Sequence, residues 1–338
     1  MKKAVFAILT VATFVSGYFT RGYVDSLSEN GGIPTETLDN TFPDLSIYSI
    51  KSLGNFTDAG EINIQESILK NEKYESNVFN LTFKPNPNVN ERKKITGQIN
   101  IPTSNSANQN NKYPLIIMLR GYINQETYLT GDGTRSAAGY FAENGFITIA
   151  PDFLGYGDSD SESGNIFESR FQTYTTVLSL IKSLPEIKKW DQKHVFIWAH
   201  SNGGHIALII LEVTGKNYPT TLWAPVTKPF PYSVLYYTDQ SEDGGRLIRT
   251  KLAEFEKQHL VEDYSLTNFL DKINAPLSIH QGLNDEAVPY KWSSDFVNTM
   301  KSLGKEINYY SYPETDHNMR PVWDSVIQSD LEFFKSYL

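Results

Sequence analysis

The sequence contains no cysteine. Disulfides, thiolate metal sites, catalytic thiols and a cysteine-linked lipid anchor are therefore excluded, and the redox state of the compartment leaves no mark on the chain. Positive charge is also short. Lys and Arg number 30 against 39 Asp and Glu, for a net charge of −9, and no basic cluster stands out. That balance argues against nucleic acid and against an anionic membrane surface as partners. The 6 histidines show no metal-ligand spacing, so neither a metal nor another cofactor is expected. No internal repeat is visible.

What is present is enough for a folded body. Hydrophobic residues make up 40% of the 338 and charged ones 20%, the proportions of a chain with a sizeable core. Met1-Lys-Lys precedes an apolar run over residues 4–19, and Arg21 follows. The run is shorter than the roughly 20 residues of a comfortable membrane span. Residues 1–22 read as a secretory signal or an uncleaved N-terminal membrane anchor, which predicts an exported, extracellular or cell-surface protein. Residues 23–75 are polar and irregular and read as a linker with one short element at 61–70.

From residue 76 the pattern is regular. Alternating apolar and polar residues over 78–83 and 95–101 predict an antiparallel hairpin. Continuous apolar runs follow at 114–119, 145–151, 194–199, 220–224, 276–280 and 307–312, the signature of strands buried on both faces. Helical patterns lie between them at 136–144, 166–184, 204–213, 291–303 and 322–338. The fold class is α/β, with a mostly parallel sheet, an antiparallel N-terminal hairpin and helices on both faces. One catalytic domain spans 76–338. Residues 225–272 hold no clear strand and read as a lid insertion after the strand ending near Ala224.

In such sheets the chemistry collects at the carboxyl ends of the strands. The run 194–199 leads into His200-Ser201-Asn202-Gly203-Gly204 and then a helical pattern, the layout of a nucleophile elbow. Ala199 stands where glycine is usual, which is tolerable if the position demands small size rather than positive φ. Asp285 follows the run ending at His280, and His317 follows the run ending at Tyr312. The chain order Ser, Asp, His supplies a nucleophile, an orienting acid and a general base on three strand ends. Glu286 and Asp316 compete with Asp285 for the acid role. The oxyanion donors expected are the backbone N–H of Asn202 and that of Tyr122, in the loop after 114–119. His200 and His205 read as packing or hydrogen-bonding residues of the elbow, and His194 and His259 as surface residues.

These motifs, together with Gly282-x-x-Asp285-x-x-Val288-Pro289 and the loop from Pro151 to Ser159, resemble the α/β-hydrolase superfamily. They are most like the prolyl oligopeptidase catalytic domain and the dienelactone-hydrolase-like esterases. The resemblance implies a serine hydrolase forming an acyl-enzyme on a short peptide or a small acyl ester. A carboxylesterase remains open beside the serine-type peptidase, as does an inactive hydrolase-fold binding protein. Two features depart from the family. The oxyanion loop reads Arg120-Gly121-Tyr122 where His-Gly-Gly is frequent, and residues 23–75 are too few for the propeller that screens substrates in many oligopeptidases. Phe230, Tyr232 and Tyr236 in the insertion are candidate substrate contacts. Arg120 is a candidate for a substrate carboxylate or, preferentially, a solvated loop charge. The oligomeric state is not legible.

Overall fold

The structure, a computed structural model, describes residues 43–70, 72–103, 112–238, 241 and 243–338. The signal or anchor expected at residues 1–22 lies outside the described residues. Among the described residues no helix is long and apolar enough to cross a membrane.

Nine strands form one sheet in the order β1-β2-β3-β5-β4-β6-β7-β8-β9. They are β1 (Glu61–Lys70), β2 (Tyr74–Phe83), β3 (Lys93–Pro102), β4 (Tyr113–Leu119), β5 (Ile147–Pro151), β6 (Trp190–His200), β7 (Thr220–Trp223), β8 (Leu277–Gly282) and β9 (Ile307–Tyr312). The pairs β1–β2, β2–β3 and β3–β5 are antiparallel, and every pair from β5–β4 through β8–β9 is parallel. The expected fold class is therefore the observed one, with the hairpin at 78–83 and 95–101 forming the middle of β2 and β3.

Helices cover both faces: α1 (Arg135–Glu143), α2 (Ile166–Ser183), α3 (Asn202–Thr214), α4 (Tyr232–Thr238), α5 (Arg246–Phe255), α6 (Tyr290–Ser302) and α7 (Trp323–Lys335). Alternation along the strands divides the core in two. Leu115, Ile117 and Leu119 of β4 and Ile197 and Ala199 of β6 pack with Phe171 and Leu178 of α2 and Ile206 and Ile209 of α3. Ile116, Met118, Phe196 and Trp198 face the other way, against Phe141 of α1 and Val326, Leu331 and Phe334 of α7. Both faces of β4 and β6 are thus dry, which is why the sequence shows unbroken apolar runs there.

The sheet begins earlier than the sequence pattern indicates. The one short element expected at 61–70, within a linker, is edge strand β1 of the sheet, with Glu61 opposite Thr82 and Ile64 opposite Phe79. Leu45, Tyr48, Ile50, Leu53 and Phe56 are all buried in the same core as β4 and α2. Tyr48 OH donates to Pro85 O (3.1 Å) and Glu168 Oε1 (3.1 Å), so this segment is bonded to the domain as well as packed on it. An edge strand needs only one apolar face, and the alternation of Ile62 and Ile64 with polar neighbours breaks off at Gln65-Glu66-Ser67, too short to set it apart from a loop.

The insertion between β7 and β8 contains α4, α5 and single helical turns down to Lys272. Phe230, Phe255 and Tyr264 interlock with Phe167 and Phe171 of α2, at ring-centroid distances of 4.9–6.4 Å. Its base is therefore core rather than a separate cover.

Leu53 is 2% exposed. Leu53→Ala is expected to lower unfolding free energy by about 2–5 kcal/mol in equilibrium urea denaturation. A loss within experimental error of zero would return residues 45–60 to the status of a linker.

Candidate active site

β6 runs straight into α3 through a single residue, Ser201, at φ 55° and ψ −120°. Positive φ costs a non-glycine residue about 1–2 kcal/mol. The backbone around it is fixed on both sides: Ser201 N donates to Trp223 O (2.9 Å), and Ser201 O accepts from Gly204 N (3.0 Å) and Val226 N (3.0 Å). The two glycines that follow are required by space. A Cβ on Gly203 would sit 2.1 Å from Leu119 O, and one on Gly204 would sit 2.6 Å from Pro225 Cβ. Ala199 lies inside β6, fully buried and without positive φ, so the demand at that position is for small size.

Asp285 follows β8 and has no exposed side-chain surface. Its Oδ1 accepts from Ala287 N and Val288 N (both 2.8 Å). Its Oδ2 accepts from Gln281 Nε2 (2.9 Å) and from His317 Nδ1 (2.9 Å). Gln281 is itself held by Ser293 Oγ (2.7 Å). Burial pushes the Asp285 carboxyl up, but the His317 hydrogen bond and charge and the two backbone N–H groups outweigh it, leaving it below the usual carboxylate range. Since a carboxylate only accepts, Nδ1 of His317 is the donor of this bond, which leaves Nε2 as the ring nitrogen not tied to Asp285. The rival acids are engaged elsewhere. Asp316 Oδ1 accepts from Asn318 N (2.9 Å) and Arg320 N (2.8 Å), closing its own loop, and Glu286 is exposed.

Ser201, Asn202, Tyr122 and His317 line one cavity of about 560 Å³. Among the described residues, no hydrogen bond joins Ser201 Oγ to His317. Such bonds are often loose without substrate. The Arg120–Tyr122 loop lies directly against the serine, because a Cβ on Gly121 would come within 2.9 Å of Ser201 Cβ. Tyr122 is half-buried, and burial raises its phenol above the ordinary range. Asn202 opens α3, and its Oδ1 is 3.5 Å from Arg170 Nη1.

Two further histidines flank Ser201, His200 at the cavity edge and His205 buried. His200 Nε2 donates to the backbone carbonyl of His317 (2.9 Å), and the rings lie 4.6 Å apart. Burial and the neighbouring His317 charge lower its pKa to about 3, so it stays neutral and holds the His317 loop. His205 is buried behind Ser201 with Nδ1 3.2 Å from Val226 O. His259, expected at the surface, is buried and accepts from Leu45 N (3.3 Å) through Nε2.

Four substrate-contact assignments need correction. Arg120 is 5% exposed and is not a solvated charge. It donates to Gly121 O (3.0 Å) and Asp152 O (2.8 Å), and its guanidinium lies over Tyr156 (3.8 Å) and Tyr128 (4.7 Å). It touches the cavity wall while both terminal nitrogens are held by backbone carbonyls and only Nε lacks a partner, so it braces the Arg120–Tyr122 loop. Phe230 is 2% exposed in the α2–α5 core, and Tyr232 and Tyr236 point outward onto Trp292. The insertion instead lines the cavity with Ser233 and Tyr237. Spacing along α4 carries that signal: 233 and 237 are one turn apart, on a different stripe from 232 and 236. Arg170, on α2, is a cavity residue that the strand-end rule does not reach. Among the described residues no group of His, Asp and Glu is arranged to hold a metal.

This constellation on this sheet defines an α/β hydrolase. The profile of the prolyl oligopeptidase family matches residues 133–338, and the chain belongs to that family of serine hydrolases. A Bacillus subtilis (strain 168) protein named an uncharacterized peptidase, YtmA, is 24% identical over 185 residues, 54% of this chain and 68% of that protein. An acetyl xylan esterase from Paenibacillus sp. R4 superposes with a TM-score of 0.59 at 14% identity, over 87% of this chain and 95% of its own. A Mycobacterium tuberculosis puromycin-hydrolyzing peptidase gives a TM-score of 0.57 at 17% identity over 72% of this chain, which spans only 37% of that protein.

The pH dependence of stability tests the role of His200. Its folded pKa, about 3, lies below the ordinary value of about 6.5, so the unfolded chain takes up the proton first as pH falls. The stabilisation is complete above about pH 6.5 and is lost progressively towards pH 3. Between pH 6 and 4 the native protein should lose about 1 kcal/mol per pH unit more than His200→Gln. Parallel stability curves for the two proteins would contradict this assignment.

Proposed function

We propose that the protein cleaves amide or ester bonds through an acyl-enzyme on Ser201, as a peptidase acting on short peptides. The observation that carries this reading is the Asp285–His317 hydrogen bond at 2.9 Å, which leaves the basic Nε2 for the cavity that also holds the strained Ser201. In the proposed cycle Ser201 Oγ attacks the substrate carbonyl carbon while His317 Nε2 takes its proton. The oxyanion is held by the N–H groups of Asn202 and Tyr122, each worth about 3–4 kcal/mol in the transition state. His317 passes the proton to the leaving nitrogen or oxygen as that bond breaks. Water then attacks the acyl ester by the same route and restores Ser201. Asp285 holds the Nδ1–H tautomer and stabilises the imidazolium.

Carboxylesterase activity is the second reading. It is favoured by the match to nearly the full length of an acetyl xylan esterase. The family profile and the peptidase relative favour amide cleavage.

A panel of short acyl esters and aminoacyl amides separates the two. Steady cleavage of the amides supports the peptidase, and fast ester cleavage beside negligible amide cleavage leaves the esterase. On whichever substrate is turned over, Ser201→Ala and His317→Ala should each lower kcat by about 10⁴-fold or more. Retention of a tenth of the activity by either variant would sink the mechanism.

A further inference from the structure

The cavity lining contains a group that the proposed cycle does not use. Arg170 lines the cavity from α2, next to Ser169 and Thr173. Its Nε and Nη2 are shielded from solvent and have no hydrogen-bond partner. Its Nη1 lies 3.5 Å from Asn202 Oδ1, at the outer limit of a hydrogen bond, and the neutral phenol of buried Tyr174 is its other polar neighbour. Among the described residues no carboxylate forms an ion pair with it.

The neighbours of Arg170 are unpaired too. Ser233 and Tyr237 line the same cavity from successive turns of α4, and their hydroxyls lie just behind its surface, shielded and without partners. His205 Nε2 is in the same condition, and the Arg170 charge, after burial, helps push that imidazole well below its ordinary range. A cation with two unpartnered nitrogens and several unpartnered polar atoms around one cavity are unfavourable in the empty protein.

The acidic residues that share the cavity are occupied or solvated. Glu162 accepts from Gln125 Nε2 (2.8 Å) and from Ser169 Oγ. Asp316 is tied to its own loop, and Glu286 is exposed. Arg120, the other cavity guanidinium, already donates to two carbonyls and lies over tyrosine rings.

Resting on the serine-hydrolase reading of this same site, we propose that Arg170, with Tyr237 and Ser233, binds a carboxylate of the substrate and so selects acidic esters or peptides. A carboxylate accepts two parallel N–H bonds from a guanidinium fork and takes hydroxyl donors on its remaining lone pairs, the set this wall supplies. Arg170 lies beside Asn202, next to the nucleophile in sequence, so the carboxylate is held near the scissile carbonyl. The geometry accommodates a carboxylate on either side of the scissile bond, in the acyl part or on the leaving group.

Two matched pairs of esters test the proposal and distinguish these sources. Mono-4-nitrophenyl adipate and its methyl ester differ by a carboxylate in the acyl part. 4-Butanoyloxybenzoate and its methyl ester differ by one on the leaving group. The native enzyme should favour the charged member of at least one pair by about 10–100-fold in kcat/KM, mostly through KM. That ratio should fall towards one in Arg170→Gln, be partly kept in Arg170→Lys, and drop severalfold in Tyr237→Phe. Each ratio is internal to one protein preparation, so partial misfolding cannot imitate its loss. Equal rates within both pairs for the native enzyme, or a ratio unaltered in Arg170→Gln, would overturn the proposal while leaving a working serine hydrolase. Failure to hydrolyse all four esters, together with no fluorophosphonate labelling of Ser201, would overturn the parent reading and this inference with it.

Discussion

The contact on which this structure depends is the approach of the first turn of α3 to the end of β4. At Gly203 the helix backbone comes so close to the Leu119 carbonyl that even a methyl group would overlap it at 2.1 Å. That proximity drives Ser201 into positive φ and lifts its side chain out of the backbone plane towards the cavity. It also brings the Arg120–Tyr122 loop alongside the serine, with Gly121 as the permitted point of contact. Backbone strain at Ser201 is tolerable because three backbone hydrogen bonds and the packing of β6 and β7 hold the turn from all sides.

The rest of the site is assembled from the strands that flank this turn. β8 delivers Asp285 and β9 delivers His317, and the two meet because they leave adjacent parallel strands at the same end. Each is steadied by a residue with no chemistry of its own: Gln281 and the Ala287 and Val288 N–H groups for the acid, His200 for the histidine loop. His200 is the residue immediately before Ser201, so a single turn presents the serine and supports the His317 loop. The insertion adds a wall of a different character. Its aromatic base fuses with α2, and its upper turn places Ser233 and Tyr237 over the cavity beside Arg170.

The strand-end residues were legible in the sequence because buried parallel strands announce themselves as apolar runs, and the residue after each run is fixed in space by the sheet. Ser201, Asp285 and His317 all belong to that class, and the expectation of a mostly parallel sheet sufficed to bring them to one edge. The short element at 61–70 was seen but not typed as strand β1, because an edge strand carries only half the apolar signal. Arg120 was misread because a charge after a strand has the same sequence appearance whether solvent or tyrosine rings receive it. Phe230, Tyr232 and Tyr236 were misassigned because the phase of a short helix cannot be set from composition alone. A shift of one residue exchanges Tyr236 for Tyr237. Arg170 lay beyond reach, since its importance rests on what it lacks, and an absent partner is visible only in three dimensions.

The central claim is covalent: an acyl group passes through Ser201. The most direct measurement is intact-protein mass spectrometry on enzyme acid-quenched during turnover of a slowly deacylated ester, followed by peptide mapping. The account predicts a mass increase equal to one acyl group, located on the peptide carrying Ser201 and absent from Ser201→Ala. Turnover with no adduct under conditions that trap an authentic acyl-enzyme, or an adduct on any other residue, would contradict it.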